Sequence, residues 1–256
     1  MQFIEDLKDF LDEKYAFYNR PEFIESDPIQ IPHSFTLKED IEIAAFLAAA
    51  IAWGRRSMII KKAVDLMGLL ENNPYDFLMN ATEKDLKRFL NFQYRTFKDG
   101  DARYFILSLQ NIYRNHGGLQ ALFEKAFFET NSIKEALIRF RVVFLSMHPE
   151  QRTLKHVADV GRGSAAKRLN MFLRWMVRTD NKGVDFGIWK NIPSSALMIP
   201  LDVHTGNVAR KLGLLVRKQN DWRSVEEMTE RLREMDPDDP VKYDFALFGL
   251  GVFEDF

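Results

Sequence analysis

The chain of 256 residues is 46% hydrophobic and 29% charged, with a formal net charge of -1, a composition suited to one large domain or two compact lobes with buried cores. It contains no cysteine, which excludes disulfides, thiolate zinc sites and cysteine-ligated iron–sulfur clusters. Its longest charge-free apolar stretch, IAAFLAAAIAWG at residues 43–54, is too short for the roughly 20 residues that cross a bilayer, so a buried helix is expected there and no membrane partner.

At the N-terminus, MQFIEDLKDFLDEK alternates acids with apolar residues and has no apolar core flanked by a cleavage site. No secretory signal is expected, and the expected location is the cytoplasm. Period-two alternation is scarce, whereas Ala, Leu, Phe, Lys and Glu recur at helical spacing, so an all-α fold is expected. The spacing predicts helices over 2–19, 38–53, 58–70, 102–115, 119–130, 133–146, 165–178, 203–212, 225–235 and 241–252. Between them ENNPYD, KDGD, NHGG, MHPEQ, TDNKG and DPDDP supply turn residues.

Charge is unevenly spread along this order. Residues 151–178 hold Arg152, Lys155, Arg162, Lys167, Arg168, Arg174 and Arg178 against Asp159 alone, about +6, while 221–256 hold eleven acids against four cations, about -7. A basic face suited to a phosphate backbone, and an acidic face, are expected; the alternative is that each helix has a solvated charged side.

Residues 159–178, DVGRGSAAKRLNMFLRWMVR, set two glycines around an arginine and then open a helix. Ser164 is the expected N-cap, and Gly161 and Gly163 are expected to free the turn so that its amides point outward as a phosphate seat, although a plain turn is the competing reading. Leu169, Phe172, Leu173 and Met176 form the expected core stripe, with Lys167, Met171, Arg174 and Arg178 nearly opposite it. Lys167, in the first turn beside Arg168, stands where an ammonium ion is disfavoured. Such a lysine suits a nucleophile, with a solvated or phosphate-binding lysine as the alternative.

Further on, IPLDVHTGNVARKLGL at 199–214 places Asp202 before a helix with Val208, Leu212 and Leu215 on its apolar side and Gly213 at its end. An N-cap role is expected. Amide donors and the helix dipole keep a capping carboxylate ionised, so it can also stabilise developing positive charge or accept a proton. No second ligand stands at helical spacing from His204, and no metal is expected.

The segment PLDVHTGNVARKLGL resembles the aspartate segment of the helix-hairpin-helix DNA glycosylases, and VGRGSAAK is similar to a degenerate form of their glycine hairpin, in the same order of hairpin, lysine and aspartate. The long gap between lysine and aspartate is similar to that of the archaeal 8-oxoguanine DNA glycosylase branch. The whole chain also resembles an uncharacterised bacterial family marked by AWGRR, KRLNMFLRWMVR and DPVKYDFALF, matched at 52–56, 167–178 and 239–248. The glycosylase resemblance covers roughly residues 159–215. It departs from the family in lacking the Leu-Pro-Gly-Val-Gly hairpin and in a tail, GVFEDF, without the cysteine cluster of several relatives.

That resemblance implies two helical lobes with a helix-hairpin-helix element and a cleft between them, one lobe formed by 38–178 and the other by 1–37 plus 179–256. It implies a partner, damaged duplex DNA or an abasic site, and neither a cofactor nor an iron–sulfur cluster. Lys167 and Asp202 would be catalytic, and Gly161, Arg162, Gly163, Ser164, Arg168 and Arg174 would bind DNA. Trp53, Phe186 and Trp189 are base-pocket candidates, although core filling is the simpler reading of each. His204 would orient Asp202. The implied reaction removes a damaged base, an oxidised purine among the options, by attack of the lysine on the sugar and strand cleavage through a Schiff base. It needs a site that lowers the lysine, because at neutral pH only about one model lysine in 2,500 is neutral. The competing readings are a helix-hairpin-helix protein that binds DNA without catalysis and a helical adaptor that does not touch nucleic acid.

Overall fold

The computed structural model describes residues 2–254 and 256. The fold is all-α, and among the described residues the only β features are two isolated bridges. In chain order the helices are α1 (Gln2–Tyr18), α2 (Glu22–Ser26), α3 (Lys38–Ala50), α4 (Arg56–Leu69), α5 (Pro74–Asn80), α6 (Asp99–Asn115), α7 (Gly118–Thr130), α8 (Ile133–Phe144), α9 (Lys167–Val177), α10 (Val203–Lys211), α11 (Trp222–Met235) and α12 (Tyr243–Phe253). The chain divides into two compact units, one of residues 1–25 plus 159–256 and one of 26–158. No helix among the described residues is long and apolar enough to cross a membrane.

In the 26–158 unit, α3 is buried from Asp40 to Ala50, as expected for its alanine-rich run, and carries Glu39 and Asp40 in the first turn, where the helix dipole favours acids. Phe46 of α3 sits 5.4–6.0 Å from Phe105, Phe140 and Phe144, a cluster that ties α3 to α6 and α8. The helix α5 falls where ENNPYD reads as a break, because Pro74 occupies its first position, where a missing N–H costs nothing. Asp101 in the first turn of α6 is fully buried and takes Lys98 N–H, the Thr153 hydroxyl and the Arg152 guanidinium, at 2.9, 2.7 and 2.8 Å. One of the expected surface cations is thus bound inside this unit.

In the other unit, α12 packs on α1 and α10. The expected grouping of the hairpin with 38–178 is corrected here: residues 159–178 belong with the C-terminal part of the chain. The reason is the surroundings of α9, which is buried from Leu169 to Val177 on every side rather than along one stripe. Phe172 meets Trp189 edge-to-face at 5.4 Å, the Trp175 carbonyl accepts the Phe186 N–H at 2.8 Å, and Arg174 binds Asp244 of α12. Met171, Arg174 and Arg178, expected on an outward face, are all buried.

Candidate functional site

The turn before α9 is a 3-10 turn, Val160–Arg162, capped by Asp159, whose carboxylate accepts the Arg162 N–H at 3.1 Å. The Gly163 and Ser164 N–H groups donate to the carbonyls of Val160 and Asp159 at 2.9 and 3.0 Å. Three of the amides expected to face a phosphate are therefore turned inward, and a carboxylate occupies the turn. Of the two glycines only Gly163 is left-handed, at φ +89°, with open space around it, so it serves the turn and not a close approach. Its carbonyl accepts Trp222 N–H at 2.9 Å, which pins the turn to the start of α11.

The helix itself starts two residues later than expected. Ala166, left-handed at φ +48°, is the N-cap residue and offers no side-chain acceptor, while Ser164 accepts from Ala166 N–H at 3.3 Å instead of capping the first turn. Lys167 is thus the first residue of α9 and sits beside a strained backbone position.

Asp202 is the N-cap of α10 as expected, its Oδ1 accepting Thr205 N–H at 3.0 Å. Its carbonyl accepts from Asn220 Nδ2 at 3.0 Å, and Asn220 is held in turn by Arg210 Nη2 at 2.6 Å. Gly206 leaves the room for this, since a Cβ there would lie 2.9 Å from Asn220. His204 is exposed, and no hydrogen bond joins it to Asp202 among the described residues, so its expected orienting role passes to the Thr205 amide and Asn220.

These two separately built helix starts bring Lys167 Nζ to 3.8 Å from Asp202 Oδ2, with about a quarter of each side chain exposed. Two residues 35 positions apart in the sequence, singled out for opposite charges at helix N-termini, form an accessible ion pair. An exposed pair of this kind contributes only about 0–1 kcal/mol to stability.

The far end of α9 behaves differently. Arg174 binds Asp185 at 3.3 Å and also Asp244; Arg178 binds Asp185 at 3.0 Å, Asp180 at 2.7 Å and Asp239 at 2.9 Å, and donates to the Tyr15 hydroxyl at 2.8 Å. Phe245 lies 4.3 Å from the Arg174 guanidinium and 5.5 Å from that of Arg178. Despite its burial, Arg178 is held firmly protonated by the surrounding aspartates. Arg174 is therefore corrected from a DNA contact to an internal ion-pair residue. Arg174 and Arg178 thus pair internally with Asp244 and Asp239 and do not add to a basic face.

Among the other expected residues, Arg162 is 91% exposed and only 3.8 Å from Asp159, Gly161 is exposed, and Arg168 is largely desolvated, which pushes its guanidinium down to about 10. Trp189 is fully buried against Phe172 and is corrected from base pocket to core. Phe186 is half-buried. Trp53 lies in the 26–158 unit, where its ring stacks on His156 at 5.8 Å and meets Tyr94 at 5.6 Å.

Sequence reasoning missed Asp244. It is buried, and its carboxyl is pushed up to about 6 by burial, against the pull of Arg174 and Lys167 and with the push of Asp202 and Asp185. The signal was present as a lone acid inside the apolar run YDFALFGLGV. No group of three or more His, Asp or Glu side chains that could hold a metal ion occurs among the described residues.

The fold and this site define an all-α protein of two helical units that presents a lysine–aspartate pair at the starts of two helices. The chain belongs to the DUF2400 family, described as a protein of unknown function, whose model matches residues 27–253. Neither the curated proteins nor the solved structures yield a match.

Proposed function

We propose that the chain is a DNA base-excision glycosylase with lyase activity, acting through Lys167 on a damaged base. The observation that carries this reading is the 3.8 Å approach of Lys167 Nζ to Asp202 Oδ2. It brings together the two residues that the resemblance to helix-hairpin-helix glycosylases singles out, and it lies within the range over which catalytic hydrogen bonds tighten when substrate arrives.

In the proposed reaction, Lys167 first gives up its proton, and the amine then bonds to the sugar C1′ as the glycosidic bond breaks. The base leaves with that electron pair and is protonated. The nitrogen then loses one proton to solvent, O4′ takes a proton as the C1′–O4′ bond breaks, and the product is a protonated Schiff base; a C2′ proton passes to solvent, its electron pair forms the C2′–C3′ double bond, and the C3′–O bond breaks to release the 3′ phosphate. Asp202, its other oxygen fixed by Thr205 N–H, stabilises the positive charge that develops on the sugar. Contact with the DNA backbone is assigned to the exposed Arg162 side chain, with Arg168 adding charge; the binding should weaken steeply with salt.

The test is a panel of duplex oligonucleotides, each with one lesion or abasic site, scored for base release and strand scission. Wild type should process at least one lesion class, and Lys167→Gln and Asp202→Asn should each lose that activity while remaining folded. Equal processing by Lys167→Gln, or none by wild type on any member, overturns the reading.

A further inference from the structure

The 26–158 unit holds a cavity of about 360 Å³ among α3, α5, α6 and α7. Two tyrosines shape it. Tyr75 of α5 and Tyr113 of α6 meet edge-to-face at 5.6 Å, and each is fixed by an acid from the start of α3: Asp40 accepts the Tyr75 N–H at 2.8 Å, and Glu42 accepts the Tyr113 hydroxyl at 2.7 Å. Both acids are buried. Burial and the Glu42 charge push the Tyr113 phenol well up, so it remains a donor to that carboxylate. The opposite wall gives way to the same ring, since Gly117 and Gly118 are both left-handed, at φ +77° and +94°, and a Cβ on Gly118 would lie 3.0 Å from the Tyr113 ring.

Charge in the wall is one-sided. Glu39 and Glu42 of α3 and Glu124 of α7 line the cavity, with Lys38 as the one cation among the described lining residues. Lys38 Nζ lies 3.6 Å from Glu42 Oε1, beyond hydrogen-bond reach, and nearly half of its side chain is in water. Glu124 is oriented by Gln120, whose Nε2 donates to its Oε1 at 2.5 Å. The three carboxylates do not form a group that could hold a metal ion, and Ala121 is the one aliphatic side chain in the described lining, which leaves little for an apolar ligand. We infer that this cavity binds a small organic cation, an alkylammonium or guanidinium group on a short stem, whose charge is met by Glu42 and Glu124 and whose stem lies beside the two tyrosines. Carboxylates attract such a group through charge-assisted hydrogen bonds, and tyrosine rings add cation–π attraction. The site lies within one unit and does not use Lys167 or Asp202, so it is independent of the glycosylase reading.

The experiment is calorimetric titration of the full chain with agmatine, putrescine and a short end-blocked peptide carrying one arginine, beside butanediol and succinate as neutral and anionic controls of similar length. Wild type should bind at least one of the cations saturably, with a Kd below about 1 mM, and neither control. Glu124→Gln should weaken that binding about tenfold and Tyr75→Leu about threefold. Glu42→Gln should abolish it; should that variant not fold, Glu124→Gln and Tyr75→Leu decide. Tighter binding of the free amines than of the peptide identifies a small metabolite as the ligand, and the reverse identifies a basic side chain of a partner; both support the site. Absence of saturable binding of every cation in that range, equal uptake of either control, or unchanged affinity in folded Glu124→Gln and Tyr75→Leu overturns the proposal.

Discussion

The two ends of α9 carry charge in opposite ways. At its start, Lys167 meets Asp202 with a quarter of each side chain still exposed. Near its end, Arg174 and Arg178 are enclosed with Asp185, Asp239 and Asp244 in a network of short contacts. Charges removed from water cannot lose a partner cheaply, whereas a partly hydrated pair contributes little and is free to react. The same stretch of sequence thus supplies a structural clamp and a chemically available group, and burial alone separates them.

The contrast predicts very different costs. Arg178→Met or Asp185→Asn should lower unfolding free energy in urea by about 3–5 kcal/mol, since each leaves buried charge unanswered; losses under about 1 kcal/mol would mean that the clamp is not what holds α9. Lys167→Gln, in the same assay, should change stability by no more than about 1 kcal/mol.

A second measure is pH. Burial pushes the Asp244 carboxyl up to about 6, above the ordinary carboxylate range, so its protonated form stabilises the fold fully below about pH 4 and that contribution is lost as the pH rises through about 6. Asp180 and Asp12 shift downward and act in the opposite sense, with stability lost as the pH falls. The comparison is therefore wild type against Asp244→Asn, whose stability difference should change across that window by on the order of 3 kcal/mol. A flat difference would place the titration elsewhere.

Smaller effects test the two helix starts. Asp202→Ala should cost about 1 kcal/mol through the lost cap, and Asp202→Asn a fraction of that. Gly163→Ala, at φ +89°, should cost about 1 kcal/mol in thermal unfolding, and Gly161→Ala only a few tenths. Equal costs for the two glycines would contradict the turn geometry.

Much of the fold was legible because helical periodicity and turn residues are local signals. The predicted 133–146 and 203–212 agree closely with α8 and α10, and the Asp202 cap follows from its place before an apolar periodic run. What failed depended on distant partners. The outward face assigned to α9 was derived from Leu169, Phe172, Leu173 and Met176, but Asp185 and Asp244 approach from the opposite side and bury the arginines there. The phosphate seat failed because Asp159, at the edge of the glycine turn, takes up an amide that the turn was expected to present. Pro74 was read as a breaker where it starts a helix. Lys167 and Asp202 were each legible from their positions at helix starts; their 3.8 Å approach was not, since it depends on how α9 and α10 pack.

The central claim is that Lys167 is the reacting amine, and borohydride trapping on a duplex bearing one abasic site, followed by peptide mapping of the adduct, tests it most directly. The account predicts a covalent adduct mapped to the peptide that contains Lys167 and its loss in Lys167→Gln. An adduct of full strength in Lys167→Gln, or none with folded wild type, would contradict it.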